Sequence, residues 1–344
     1  VTARPPTRVL VADDSPTLRR ALRTLLEEDP GIRVVAEAAD GAEAVALART
    51  AGPDVVTMDV VMPGLDGLRA TEEIMAVAPT RIIVVSQLAE REQSLAFQAL
   101  AAGAVELLAK PQVGGPDDLR RWGVAVREAV RLMSEVPVVT RRALAGAAPA
   151  RAAAPRALDA VGLAASTGGP QAVVAILAAL PARLPLTLLV AQHIASGFVD
   201  GMRRWFAEST ALEVRVAQDG EAPRAGCVYL APPGRNLLWS RAGRLSTPPC
   251  ASCVCPSGDD LLRSLAEALG PRAGGVVLSG MGEDGARGLL AIRRAGGLAL
   301  AQSAATCVVN GMPGAAAALG APEARAAPPE IAALLAAARP PADR

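Results

Sequence analysis

Residues 8–14 read RVLVADD. Val9 to Ala12 make an apolar stretch too short for a helix, and it ends abruptly in two carboxylates. An apolar run of this length, bounded by charge, is the pattern of a strand buried on both faces of a parallel sheet. The pattern recurs at Arg33–Ala36, Val55–Asp59, Arg81–Ser86 and Val105–Lys110. Segments of helical period lie between these runs, at Leu18–Glu28, Ala42–Ala51, Gly67–Val77 and Glu92–Ala102, with a fifth from Asp117 to about Met133. Strand and helix alternating in this way predict parallel crossovers and a doubly wound α/β sheet. Ligands of such sheets sit beyond the C-terminal strand ends.

Those ends carry chemistry. Asp13 and Asp14 close the first predicted strand, Asp59 the third, Ser86 the fourth and Lys110 the fifth. Carboxylates brought together at one edge repel one another unless a hard divalent cation such as Mg²⁺ joins them. A cation there would screen an incoming phosphoryl group and let one carboxylate accept it. Lys110 is the single lysine of the chain, and it would supply a positive charge to the phosphoryl oxygens.

Outward from this region the pattern fails between residues 134 and 157, a stretch rich in Ala, Pro and Arg that reads as a linker. A second alternating region follows. Ala160–Ala164 reads as a strand, Pro170–Leu180 as a helix, Leu186–Ala191 as a strand and Val199–Glu208 as a helix. Val228–Ala231 and Leu237–Ser240 suggest a hairpin, with a helix at Asp259–Leu269. Val276–Ser279 reads as a strand, followed by GMGEDGA and a helix from Ala286 to Ala295. The division expected is therefore 1–133, a linker over 134–157, and 158–344.

In the second region Ser166 follows a strand in LAASTGGPQAV, where Gly168 and Gly169 permit a tight turn into a helix. The helix N-terminus would stabilise developing negative charge. His193, the only histidine, follows the next strand in VAQHIASGF, and Asp284 follows a third in LSGMGEDGA. Ser, His and Asp at three strand ends can meet as nucleophile, general base and orienting carboxylate. A strand, a Ser/Thr-Gly-Gly turn and a helix could equally hold a phosphate.

Composition sets outer bounds. The 344 residues are 51% hydrophobic but only 2% aromatic, so two cores must be built from Ala, Val and Leu. Lys+Arg 35 against Asp+Glu 34 leaves a net charge of +1, without the basic excess of a nucleic-acid binder. Five cysteines do not make a secreted disulfide framework. The first residues show no apolar stretch of signal-peptide length, and the uncharged run from Ala295 to Pro322 is broken by polar residues and glycines, which disfavours membrane insertion. A cytoplasmic location is expected. Cys250, Cys253 and Cys255 are expected to be reduced thiols in a variable loop. A metal site completed by Cys227 or His193 is the alternative.

Taken together, VADDS, TMDVVMPGLDG, VVSQ and AKP over residues 7–130 resemble the receiver domain of two-component response regulators. That resemblance implies a flavodoxin-like fold, phosphorylation of Asp59, Mg²⁺ held by Asp13, Asp14 and Asp59, and signalling through Ser86 and Lys110. Leu107 departs from it, because receivers usually place an aromatic residue three before the lysine. LAASTGGPQAV, QHIASGF, VYLAPPG, GMGEDGARGL and CVVNGMPGAA resemble the catalytic domain of the chemotaxis protein-glutamate methylesterases, a larger α/β serine hydrolase. This second resemblance implies Ser166 as nucleophile, His193 as base and Asp284 as its partner. It also implies Thr167 as support for the histidine and the Met281 backbone N–H as an oxyanion donor. Methyl-accepting chemoreceptors are the implied substrates, with glutamine deamidation beside ester hydrolysis, and a chemotaxis histidine kinase is the implied phosphodonor. Arg235-Asn236 stands where the family often has a histidine. Two rivals remain: a receiver joined to a non-catalytic receptor-binding adaptor, and a transcriptional regulator. No helix-turn-helix pattern supports the latter.

Overall fold

The computed structural model describes residues 5–111, 116–136, 156–251 and 254–339. The chain divides into two compact units, Val1–Arg142 and Ala143–Arg344.

The first unit alternates strictly. Its elements are β1 (Thr7–Ala12), α1 (Pro16–Glu27), β2 (Ile32–Ala38), α2 (Gly41–Ala51), β3 (Val55–Asp59), α3 (Gly67–Val77), β4 (Arg81–Ser86), α4 (Glu90–Ala102), β5 (Glu106–Ala109) and α5 (Pro116–Glu135). The five strands are all parallel in the order β2-β1-β3-β4-β5. Val9, Leu10 and Val11 are fully buried, as are Val55, Val56, Ile82 and Ile83, which is what a strand covered on both faces requires. Local chemistry sets the helix starts. Ser15 accepts the Leu18 N–H with Pro16 in the first turn, and Asp40 and Asp66 cap α2 and α3 in the same way. Gly67 is required at the start of α3, because a Cβ there would lie 1.8 Å from the Asp59 carbonyl oxygen. That closeness seats the helix directly against the end of β3.

The second unit contains β6 (Ala160–Ala165), α6 (Gly169–Ala179), β7 (Thr187–Gln192), α7 (Val199–Glu208), β8 (Glu213–Val216), β9 (Cys227–Leu230), β10 (Leu238–Trp239) and β11 (Leu245–Ser246). It continues with α8 (Gly258–Leu269), β12 (Ala273–Val277), α9 (Ala286–Arg294), β13 (Leu298–Gln302), α10 (Gly311–Ala318), β14 (Ala324–Ala326) and α11 (Pro328–Ala336). Seven strands form a parallel sheet in the order β14-β13-β12-β6-β7-β9-β8. The chain order reverses between β12 and β7, around β6, so the crevice expected of such a sheet opens at these strand ends. Glycines in the central strands let helices approach closely. A Cβ on Gly162 would meet Leu262 at 2.7 Å and Leu265 at 2.8 Å, both on α8.

Several expectations are corrected. Val228–Ala231 and Leu237–Ser240 do not pair as a hairpin. Instead β9 lies inside the parallel sheet between β7 and β8, and β10 pairs antiparallel with β11. The reason is that β9 is buried at every position, so it belongs in a sheet core, whereas β10 is only half-buried. Strands β8, β13 and β14 and helices α10 and α11 have no counterpart in the sequence reading. At the domain boundary, α5 continues to Glu135, and the second unit is already paired at Arg156, whose carbonyl accepts the Arg339 N–H at 2.9 Å. Most of the expected linker, residues 137–155, lies outside the described residues. Among the described residues no helix is long and apolar enough to cross a membrane.

Candidate active site and phosphoacceptor site

In the first unit, the parallel register carries Asp13, Asp59, Ser86 and Lys110 to the same edge. Asp13 and Asp59 are buried and Asp14 is exposed, yet one oxygen from each can be chosen so that all lie within 4.8 Å of one another. Lys110 Nζ reaches Asp59 Oδ2 at 2.6 Å and Asp13 Oδ2 at 2.9 Å. Burial drives the Asp59 carboxyl up to about 6 against the pull of Lys110, and the neighbouring charge of Asp13 adds to the rise. Burial alone would lower Lys110, but Asp59 and Asp13 outweigh it and hold the ammonium charged. Ser86 is fully buried at the end of β4, and the Lys110 N–H donates to its carbonyl at 2.8 Å. Three carboxylate oxygens brought together, two of them beside Lys110 and the third, from Asp14, on an exposed residue, form a donor set that suits a hard divalent cation. Leu107 is buried within β5 opposite Val84.

In the second unit, β6 and β7 pair with Ala165 opposite Gln192, so Ser166 and His193 leave their strands side by side. The Ser166 N–H donates to the Ser279 carbonyl at 3.0 Å, and its own carbonyl accepts from Gly169 at 2.8 Å, which forms the turn into α6. Gly168 takes φ 72° there, a left-handed conformation that favours glycine. Gly280 passes so close that a Cβ on it would lie 2.7 Å from Ser166 Cβ and 2.2 Å from Met312 Sδ. Only a glycine admits this approach, and the exposed Met281 follows it in the chain.

Asp284 stands in the loop between β12 and α9, and His193 Nε2 lies 2.9 Å from its Oδ2. A carboxylate on Nε2 places the proton on that nitrogen and leaves Nδ1 as the basic one. Asp284 is held as firmly as it holds. It accepts the Gly258 N–H at 2.6 Å, the Asp259 N–H at 3.0 Å and the Ser257 hydroxyl at 3.3 Å, all from the first turn of α8. Burial pushes the Asp284 carboxyl up, but His193 and the Asp259 and Gly258 amides outweigh it and leave the group below its ordinary value. The arrangement can take a proton from a serine hydroxyl, stabilise the resulting imidazolium and return the proton to a leaving group.

Thr167 is buried next to Ser166, and its carbonyl accepts from the Ser279 hydroxyl at 2.7 Å. Four supporting residues escaped the sequence reading. Ser279 is one, since its carbonyl accepts the Ser166 N–H and its hydroxyl donates to the Thr167 carbonyl. Ser257 is another, and its signal was present: it precedes Asp260 by three residues, and the Asp260 N–H donates to its hydroxyl as at a helix N-cap. Asn236, a departure from the family pattern in sequence, is the third. Its Oδ1 accepts the Ser257 N–H at 2.8 Å, and its Nδ2 donates to Asp260 at 3.3 Å. The fourth, Gln192, immediately precedes the histidine.

The cysteine expectation is corrected. Cys250 and Cys255 form a disulfide, and Cys253 lies outside the described residues. The loop between β11 and α8 folds back and brings their Cα atoms to 5.8 Å, within disulfide reach. The metal alternative loses its ligands as well. His193 is engaged by Asp284, and Cys227 is buried in β9 with its sulfur 3.7 Å from an Arg224 nitrogen.

Fold and site together define a class: a receiver-type α/β unit in front of an α/β unit assembled as a serine hydrolase. Known proteins agree. Residues 9–121 match the response regulator receiver domain, and residues 161–335 match the CheB methylesterase family. A protein-glutamate methylesterase/protein-glutamine glutaminase 3 of Myxococcus xanthus (strain DK1622) is 53% identical over 312 residues, covering 90% of this chain and 88% of that one. Its counterpart in Anaeromyxobacter dehalogenans (strain 2CP-C) is 48% identical over 335 residues, covering 94% of this chain and 97% of the relative. The CheB methylesterase catalytic domain of Thermotoga maritima superposes with a TM-score of 0.50 at 31% identity, covering 52% of this chain and 98% of that domain. The chain belongs to the CheB methylesterase family and carries a response regulator receiver domain.

Proposed function

We propose that the protein is a phosphorylation-activated hydrolase that removes methyl groups from glutamate methyl esters on chemoreceptor cytoplasmic helices. Deamidation of specific glutamines would be the companion reaction. The observation that carries this reading is the Ser166, His193 and Asp284 grouping at three strand ends of the second unit, supported by family membership. Ser166 Oγ attacks the ester carbonyl while His193 takes its proton, and His193 then gives that proton to the departing methanol. Water, activated by the same imidazole, hydrolyses the acyl-serine and frees the carboxylate and Ser166. In deamidation ammonia leaves in place of methanol. The Met281 N–H and the α6 N-terminus stabilise the oxyanion, and Thr167 supports His193.

The receiver lies in the first unit and the catalytic domain in the second, joined by the Ala-, Pro- and Arg-rich stretch, in a protein of the cytoplasm. Asp59 accepts a phosphoryl group from a chemotaxis histidine kinase, and Ser86 and Lys110 respond to it. Asp13, Asp14 and Asp59 would hold Mg²⁺, which neutralises charge as the phosphoryl group arrives. The non-catalytic adaptor reading is not favoured, because the family is that of a methylesterase and His193 and Asp284 are paired as a base and its carboxylate would be.

The test is methanol release from methylated receptor by the full chain, with and without a small acyl phosphate and Mg²⁺. Turnover is expected to rise on phosphorylation and to vanish in Ser166→Ala, while Asp59→Asn loses only the response. Wild-type turnover in Ser166→Ala would require another nucleophile.

A further inference from the structure

Gln192 is the last residue of β7, and only 3% of it is exposed. A buried amide carries two donors and an acceptor, and leaving any unmatched is costly. Here Nε2 spends both donors on one task. It donates to the Ser166 carbonyl at 2.8 Å and to the His193 carbonyl at 3.0 Å. Oε1 is buried without a hydrogen-bond partner. The opposite orientation would set Oε1 against two carbonyl oxygens, so the amide can face only this way. Its space is also reserved, since a Cβ on Gly169 would come within 2.5 Å of Oε1.

The sheet alone does not impose this link. The His193 N–H already donates to the Ala165 carbonyl at 2.9 Å as the last rung between β6 and β7. Beyond that rung both chains turn away from the sheet, and the amide spans them. The Ser166 carbonyl thus receives the Gly169 N–H from its own turn and Nε2 from the neighbouring strand.

We infer that Gln192 is a positioning residue of the esterase reaction, its side-chain amide tying the nucleophile's carbonyl to the base's carbonyl and so fixing Ser166 and His193 relative to each other. The inference rests on Ser166 and His193 being the reacting pair. Gln192 is almost wholly buried and its donors are spent on the two carbonyls, so its removal is expected to act on the chemical step and not on substrate affinity. Small errors in the placement of a nucleophile and its base are expensive in rate.

The experiment compares Gln192→Met, Gln192→Glu and Ser166→Ala in the full chain, by methanol release from methylated receptor and by labelling with a fluorophosphonate. Gln192→Met keeps the side-chain length and removes the donors. It is expected to lower kcat by more than about tenfold, with KM held within about twofold, and to slow fluorophosphonate labelling in parallel. Gln192→Glu provides a second readout within one folded variant. Its carboxylate repels both carbonyls, but its neutral acid regains one donor, so the ratio of its kcat to that of wild type should rise as the pH is lowered from about 8 to 5. A smaller fall in kcat for Gln192→Met, a loss carried by KM, or a Gln192→Glu ratio flat in pH would each overturn the inference. Should Gln192→Met not fold, the Gln192→Glu ratio alone decides. Failure of the underlying reading looks different: Ser166→Ala would still release methanol and still be labelled.

Discussion

His193 Nε2 and Asp284 Oδ2 stand 2.9 Å apart although 91 residues separate them in the chain. Both are partly shielded, with side chains 21% and 11% exposed. Asp284 Oδ2 also accepts the Gly258 N–H, while Oδ1 takes the Asp259 N–H and the Ser257 hydroxyl. An amide at this position would therefore set its NH₂ against another donor in either orientation. Asp284→Asn should lower kcat by roughly 10³- to 10⁴-fold by misplacing the imidazole proton, with fluorophosphonate labelling slowed in step. Methanol release at saturating receptor measures this, and a loss below about tenfold would remove Asp284 from the catalytic group.

The ionisation of Asp59 predicts a stability effect of definite sign. Its folded value of about 6 lies above the ordinary 3.8 of an aspartate, so losing the proton between those values costs the folded state stability. The protonated form's advantage is present below 3.8 and is lost as the pH rises through about 6. Asp59→Asn, which cannot ionise, should then be more stable than wild type at pH 7 without divalent cations, by up to about 3 kcal/mol. Urea unfolding across pH is the measurement. The gain should shrink toward zero as the pH falls below 3.8, and an equal gain at every pH would contradict the assignment.

Asn236 connects a loop to the helix whose first turn holds Asp284. It is buried, accepts the Ser257 N–H and donates to Asp260. Asn236→Ala leaves a buried amide hydrogen unmatched, which should cost about 1–3 kcal/mol of unfolding free energy. Because Ser257 and Gly258 grip Asp284, turnover should fall as well. Chemical denaturation and methanol release on the same preparation test both, and unchanged values in each would show that the link is idle.

The thiols should divide cleanly under alkylation. Cys227 and Cys307 are buried and free, and burial pushes the Cys307 thiol up to about 12. Native protein at about pH 8 should therefore leave both unmodified by iodoacetamide. Cys250 and Cys255 should become reactive only after a dithiol reductant opens their disulfide. Peptide mass spectrometry distinguishes the sites. Rapid native labelling of Cys307 would show that its surroundings are open.

Much of the fold and the candidate site was legible in the chain itself. Apolar runs such as Val9–Ala12 and Leu186–Ala191 end in polar residues, and a parallel sheet must bring those ends to one edge. The positions of Asp13, Asp59, Lys110, Ser166 and His193 at strand ends therefore follow from the sequence pattern. Local patterns carry that information because strand burial and helix period are short-range properties. Strand neighbours are a different matter. Burial on every side drew β9 into the large sheet, though its spacing to β10 suggested a hairpin. The small and alanine-rich β13 and β14 offered no period to read, and only the pairing of β13 to β12 and of β14 to β13 makes them strands. The same holds for what steadies the site. Gln192 on the carbonyl of Ser166, Ser257 on Asp284, and Asn236 on Ser257 are contacts between segments that sequence order does not join. Residue types and strand ends followed from the sequence by itself. Their distances and partners came from tertiary packing, because a hydrogen bond needs two groups at fixed geometry and only the closed sheet supplies it.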